Sequence, residues 1–113
     1  MEGYAIKMEP IGSFYAIKLD GSLEEYQKEV GGYIETAPTT SHPFVLLINE
    51  EGKLRHLPEN ILATKLTPLK MDYIVGNALL VKAGPEDIEL LTENEAEELC
   101  RNLSRLAFYI FAD

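Results

Sequence analysis

The sequence predicts an α+β fold, with a mainly antiparallel sheet of about five to six strands, two main helices and one short helix. Three observations predict it. Short segments alternate apolar and polar residues and lie close enough together to form hairpins. Two Ser/Thr-x-x-Glu capping boxes each introduce a helical pattern. Strands and helices do not alternate regularly, as they would in a parallel βαβ fold.

The first elements are a hairpin and a helix. Two alternating segments, joined by a turn that contains Pro and Gly, predict a hairpin over residues 4–19. Ser22 is predicted to cap the helix, with its hydroxyl accepting from the amide of Glu25 and the Glu25 carboxylate reaching back to the amide of Ser22. Gly31 and Gly32 end this helix, because a left-handed residue after a helix is easy only for glycine.

The middle of the chain predicts three further strands. Residues 33–37 form a short strand, and the apolar run 44–49 has the length of a strand that is central in the sheet. Residues 50–52 predict a tight hairpin turn, with Gly52 supplying a positive φ. Residues 53–57 are then expected to return as the partner strand.

A short helix and two strand-like segments follow. Pro58 is tolerated at a helix start, so a helix is predicted over residues 59–66, with Glu59 and Asn60 as candidates to cap or position it. Residues 72–75 and 78–83 have strand character, and Gly76 between them suits a bulge.

The second capping box, Thr92 with Glu95, opens a longer helix over about residues 93–106. At 100° per residue its apolar positions share one face. These positions are Ala96, Leu99, Cys100, Leu103, Leu106 and Ala107.

The aromatic tail has two interpretations. If the helix continues, Phe108, Tyr109 and Phe111 point away from the apolar face, and such exposure predicts contact with a partner or with a second copy of the chain. If residues 107–111 form a terminal strand, Phe108 and Ile110 pack inward. We expect at least two of the three aromatic side chains to be buried.

Composition excludes several classes of protein. The 113 residues predict a single domain, and the net charge of −9 disfavours direct contact with nucleic acid or with an anionic membrane. One cysteine cannot form an internal disulfide, and two histidines with one cysteine are too few for a structural zinc site. No apolar leader or membrane-length run is present. We therefore expect a cytoplasmic protein without metal or cofactor.

Negative charge is concentrated in residues 83–100. This acidic segment holds seven of the 19 acids and no Lys or Arg, whereas the other 95 residues carry 12 acids and 10 bases. The segment is either a solvated face or a surface for a basic partner. The residues predicted to meet such a partner are Glu86, Asp87, Glu89, Glu93, Glu97 and Glu98, with Tyr109 and Phe111 as aromatic anchors.

Three blocks carry a resemblance to a known family. They are SLEEYQKEVGGYIE (22–35), NEEGKLRHLPEN (49–60) and DYIVGNALLV (72–81), and the resemblance covers roughly residues 14–82. The chain resembles the small phage and mobile-element proteins grouped as domain of unknown function 3846. The resemblance implies an accessory gene of phages or integrated elements in Gram-positive gut bacteria, which often act against host defences. It implies a family-like core over residues 14–82, followed by an acidic helical segment over 83–113.

The predicted function is therefore non-enzymatic. The chain would bind and block a basic surface of a host-defence protein, such as a CRISPR nuclease or a restriction enzyme. No catalytic residue is assigned, because no nucleophile lies beside a base in any recognisable pattern. The alternative is a module that binds or sequesters a small nucleotide signal, with Tyr33, His56 and Asn60 lining its pocket. A phosphate ligand would require Lys53 and Arg55 to converge.

Overall fold

The computed structural model describes residues 2–68 and 72–112, which contain six strands and three helices. The strands are β1 Gly3–Met8, β2 Phe14–Leu19, β3 Ile34–Pro38, β4 Phe44–Asn49, β5 Ala78–Ala83 and β6 Ile88–Glu89. The helices are α1 Leu23–Val30, α2 Ile61–Leu66 and α3 Glu93–Phe111.

All strand pairs are antiparallel, in the order β2-β1-β5-β4-β3, with the short β6 pairing the end of β5. The predicted α+β fold is confirmed. The order leaves β2 and β3 as the two long edge strands, while β4 is paired on both sides. β5, which comes late in the sequence, joins the two hairpins β1–β2 and β3–β4.

Each face of the sheet carries its own core, because successive residues of a strand point to opposite faces. On one face α1 packs against a cluster of strand residues that includes Ala5, Leu47 and Leu79. On the other face α2 and α3 cover a larger cluster that includes Ile6 and Leu80. The one-residue offset between Ala5 and Ile6 therefore decides which helix each of them meets.

Asn60 connects α2 to the rest of the molecule. Its side chain is fully buried and caps α2 by accepting from the amide of Ala63 at 3.1 Å. Its amide group donates to the carbonyls of Met8 and Gly76, each at 2.9 Å. The helix begins after Asn60 and not at Glu59 as predicted, because Asn60 supplies the cap.

Two strand predictions are wrong. Residues 53–56 form turns and not a partner strand, because both sides of β4 are already paired. Gly52 does not have the predicted positive φ. A Cβ there would lie 2.7 Å from the Cγ2 of Val75, so glycine is needed for close packing. Residues 72–75 contribute a single bridge, between Val75 and Glu59, and not a strand.

The capping of α1 differs in one detail from the prediction. Ser22 accepts from the amide of Glu25 at 3.2 Å as expected, but the Glu25 carboxylate accepts from the amide of Asp20 at 2.6 Å. The amide of Ser22 instead donates to the Asp20 carboxylate at 2.8 Å. Gly31 ends the helix at φ 83°, as predicted. The capping box therefore forms only in part, because Asp20 takes the place of Glu25 at the Ser22 amide.

Candidate interaction surface

Helix α3 is fixed at its start by a complete capping box. The amide of Glu95 donates to Thr92 Oγ1 at 3.1 Å, and the amide of Thr92 donates to the Glu95 carboxylate at 2.9 Å. Lys82 of β5 also donates to that carboxylate, at 3.0 Å. The Thr92 amide, and after it the Lys82 ammonium, hold the pKa of Glu95 below its ordinary value. Among the described residues, Glu95 is therefore the one acid of the acidic segment that forms an ion pair.

Helix α3 runs along the β1–β2 hairpin. At its start, Tyr4 and Leu91 exchange two backbone hydrogen bonds of 2.9 and 2.7 Å. At its end, the Phe111 ring lies 3.5 Å from the position that a Cβ on Gly12 would occupy. The predicted apolar face packs on the core, with Ala96 and Leu103 buried. The helix is about 27 Å long at 1.5 Å per residue, so it spans the whole hairpin.

The side of α3 that faces β2 borders an open groove of about 420 Å³. Ala16 of β2 lines it on the sheet, although Ala16 remains exposed. A row of α3 residues runs along this side of the helix from its start to its end. Each residue in the row lies within about 80° of Glu93 around the helix axis. This β2-side row consists of Glu93, Glu97, Arg101, Ser104, Phe108 and Phe111.

Most of the acidic segment lies at the start of α3. Glu86, Asp87 and Glu89 lie in and beside the β5–β6 turn, immediately before Thr92. Glu89 also lines a cleft together with Glu2 and Asp20. The six predicted partner-binding acids are all exposed, and none of them forms an ion pair within residues 2–68 and 72–112.

Two of the predicted partner-binding residues lie apart from the others. Glu98 is about 140° from Glu93 around the helix axis, and Tyr109 is about 160° from it. Both therefore project away from the β2 side of α3. The acidic surface is concentrated at one end of the molecule, but it does not lie on a single face.

The aromatic tail is exposed, which overturns the prediction that at least two of its rings are buried. The helix continues to Phe111, so the alternative terminal strand is also wrong. Phe108 is 75% exposed, Tyr109 86% and Phe111 47%. The burial of Ile110 explains the continuation, because Ile110 extends the apolar face defined by Leu103. Ile11, in the hairpin turn beside Gly12, is a further exposed apolar residue that the sequence did not single out.

Cys100 lies on the wall of the groove. Burial raises the pKa of its thiol, an effect that a hydrogen bond with the backbone of Ala16 partly opposes. A nucleophilic cysteine needs the opposite shift. The geometry therefore gives Cys100 a packing role.

The residues of the predicted ligand site do not meet. Asn60 is buried and its side chain is fully engaged in the hydrogen bonds described above. His56 is exposed in a turn at φ 57°. Tyr33 lines a shallow cleft with Arg55, whereas Lys53 lines a different cleft with Asp72. Lys53 and Arg55 therefore do not converge on one ligand.

In the part of the chain that the structure describes, no cluster of three or more His, Cys, Asp or Glu residues could hold a metal ion. None of the described helices is long and apolar enough to cross a membrane.

The fold and this surface define a small α+β protein with an antiparallel sheet, helices on both faces and an acidic end. The chain belongs to the family described as Domain of unknown function (DUF3846), which matches residues 1–104. The match confirms the resemblance and also includes the acidic segment and most of α3. No curated protein and no solved structure matches the chain.

Proposed function

We propose that this protein is a non-enzymatic binding protein that blocks a basic surface of a host-defence protein, such as a CRISPR nuclease or a restriction enzyme. One observation carries the proposal: the acidic segment keeps six exposed carboxylates without ion pairs in the described residues, and only Glu95 is neutralised. A nucleic-acid-binding groove presents a basic surface for phosphates, and a cluster of carboxylates competes for it.

The arrangement of the acids supports a binding surface at one end of the molecule. Glu86, Asp87 and Glu89 adjoin the first turn of α3, where Glu93 follows. A helix start stabilises neighbouring acids, so Glu93 and Glu95 also have a structural explanation. That explanation does not extend to the β5–β6 turn, whose acids lie outside the helix. These acids are therefore the ones on which the proposal chiefly depends.

The raised pKa of Cys100 supports the non-enzymatic part of the proposal, since its thiol is not prepared for nucleophilic attack. Tyr109 supports the binding part, because its ring is exposed and tyrosine is a common anchor in interfaces.

The test compares two triple charge reversals with the same net charge. The first is Glu86→Lys, Asp87→Lys and Glu89→Lys, and the control is Glu35→Lys, Glu50→Lys and Glu59→Lys, all at exposed positions. Phage plating efficiency is measured in bacteria that carry a CRISPR or restriction system. We expect the wild-type chain and the control to restore plating, and the first variant to lose this protection.

A binding measurement gives the mechanism. With the nuclease purified from the protected strain, the first variant should bind at least about tenfold more weakly at low salt, and the difference should shrink as salt screens the charges. Equal protection by the two triple variants would contradict the electrostatic mechanism. No protection by the wild-type chain against any tested nuclease would contradict the proposed target.

Small-ligand binding is the second candidate function. The observation that favours it is a cleft of about 270 Å³ beside Tyr73, whose ring lies 4.6 Å from the Lys53 ammonium. Asp72 already pairs with Lys53, which leaves little positive charge for a phosphate. A thermal-shift screen with nucleotides tests this function, and a large stabilisation that Tyr73→Ala removes would support it.

A further inference from the structure

The two long edges of the sheet differ in the backbone groups that they offer. In the first hairpin the amide of Glu9 donates to the carbonyl of Ser13 at 2.8 Å. Antiparallel pairs alternate, so every second residue of β2 bonds to β1 and the others turn their amides and carbonyls outward. The outward residues are Phe14, Ala16 and Lys18.

The edge of β3 is partly blocked. The amide of Glu50 donates to the carbonyl of Tyr33 at 2.9 Å, so Ile34, Thr36 and Pro38 are the residues that face outward there. Pro38 has no amide hydrogen, and proline is a common means of protecting an edge strand. No proline interrupts β2.

We propose that a second copy of this chain docks on β2, antiparallel to it, around a two-fold axis that passes beside Ala16. Phe14 of each copy then pairs with Lys18 of the other, and the amide and carbonyl groups of both residues are satisfied. The sulfur of Cys100, which lies near the Ala16 backbone, is a weak hydrogen-bond partner that a carbonyl can displace. The dimer has one continuous sheet.

The same axis also pairs the helices. Helix α3 contacts both β1 and β2, so it lies over the space between these two strands. With strands about 4.8 Å apart, continuation of the sheet brings the two α3 axes to a distance of about 10 Å. Packed helices in proteins are separated by about 8–10 Å. Strand pairing and helix packing are therefore satisfied in one arrangement.

The charges of the β2-side row complement each other across this axis. Ala16 lines the groove together with Glu97, Cys100 and Arg101, and we place the axis level with the midpoint between Glu97 and Arg101. Because the helices run in opposite directions, Glu97 of one copy lies opposite Arg101 of the other, and the reverse pair forms by symmetry. The β5–β6 turn and Glu98 stay uncovered, so this inference goes beyond the proposed function and leaves its principal acids accessible, although the dimer uses Glu97.

The first test measures the mass of the full chain by sedimentation velocity over a concentration series. We expect the wild type to reach twice the protomer mass of 12.7 kDa. Lys18→Pro removes an outward amide and should stay at one protomer mass. Thr36→Pro removes an outward amide on the other edge and should remain dimeric. Lys18→Gln controls for the lost charge and should also remain dimeric.

The second test exchanges the charges and does not depend on proline. Glu97→Arg alone and Arg101→Glu alone each place like charges across the axis, so each variant should be monomeric. An equimolar mixture of the two variants should form a heterodimer, because every facing pair is again of opposite sign. A change within one folded chain cannot produce this rescue, since mixing leaves each chain unchanged.

A wild type that stays at one protomer mass up to about 1 mM, where even a contact with a Kd near that value would be detected, overturns the proposal. A dimer that persists in Lys18→Pro also overturns it, as does a mixture of the two charge variants that stays monomeric. If circular dichroism shows that Lys18→Pro is unfolded, the proposal is tested by the Glu97→Arg and Arg101→Glu variants alone.

Discussion

Helices α1 and α3 cover opposite faces of one sheet, but they use their length differently. The eight residues of α1 begin after the Ser22 cap and end before Gly31, and Tyr26 and Val30 pack against the sheet. The 19 residues of α3 begin at Thr92 and reach the hairpin turn, and the last turn has no basic residue. Its aromatic residues there are exposed.

This difference shows which part of α3 folding explains. Core burial accounts for the apolar face of α3 from Ala96 to Ile110, as it does for Tyr26 and Val30 of α1. It does not account for the β2-side row or for Tyr109. A surface that the fold does not need is where an interaction should be sought.

The largest expected effect is the difference in unfolding free energy between a substitution on the buried face of α3 and one on its exposed side. Leu103→Ala should lower the free energy of unfolding by about 2–5 kcal/mol, because it leaves a cavity in the core. Phe108→Ala should change it by less than about 0.5 kcal/mol in the monomer. Urea denaturation measures both variants. A similar loss in the two would mean that Phe108 belongs to the core.

The two N-terminal caps provide the next comparison. Thr92→Ala should cost about 1–2 kcal/mol, because Thr92 takes part in a complete capping box. Ser22→Ala should cost about 0.5–1 kcal/mol, since Asp20 and Glu25 keep their own bonds to the backbone. Urea denaturation of the two variants gives the order, and a larger loss for Ser22→Ala would reverse this interpretation.

The smallest effect concerns two strand-to-helix ion pairs, one on each face. Lys7 donates to Glu29 of α1 at 2.9 Å, and this hydrogen bond raises the pKa of Lys7 above 10.5. Its contribution is complete below the unfolded-state pKa and is lost as pH rises through the folded-state value. The lowered pKa of Glu95 has the opposite consequence: its contribution is complete above 4.5 and is lost as pH falls through the folded-state value.

The free energy of unfolding, measured against pH, should therefore distinguish the ion pair on one face of the sheet from the pair on the other. Lys7→Met should flatten the alkaline limb, and Glu95→Gln should flatten the acid limb, each by no more than about 1 kcal/mol because the pairs are only partly buried. Loss of the same limb in both variants would contradict these assignments.

Local patterns predicted most of the fold. Alternation located β1 and β2, an apolar run located β4, strand-like composition located β5, and the second capping box located the start of α3, because all these signals depend on near neighbours in sequence. The errors concern long-range packing. The segment after Gly52 has the sequence pattern of a strand, but it cannot pair with β4 because β3 and β5 occupy both sides of that strand. No local pattern indicates that Val75 lies against Gly52.

The interaction surface was predictable only in part. Charge counting located the acidic residues, but it could not show that Lys82 neutralises Glu95 or that Glu98 projects away from Glu93. The sequence left Asn60 with two roles, as a cap of the short helix or as part of a ligand pocket, and the structure shows the cap. The burial of Asn60 follows from contacts with Met8, which is 52 residues away in sequence.

The position of β5 has a consequence for biosynthesis. Both N-terminal hairpins are complete once residue 49 has been made, but the strand that joins them begins at Ala78. An isolated hairpin is marginally stable at best. A nascent chain that ends before Ala83 therefore exposes the apolar sides of two unconnected hairpins, and the sheet can assemble only after β5 has been made.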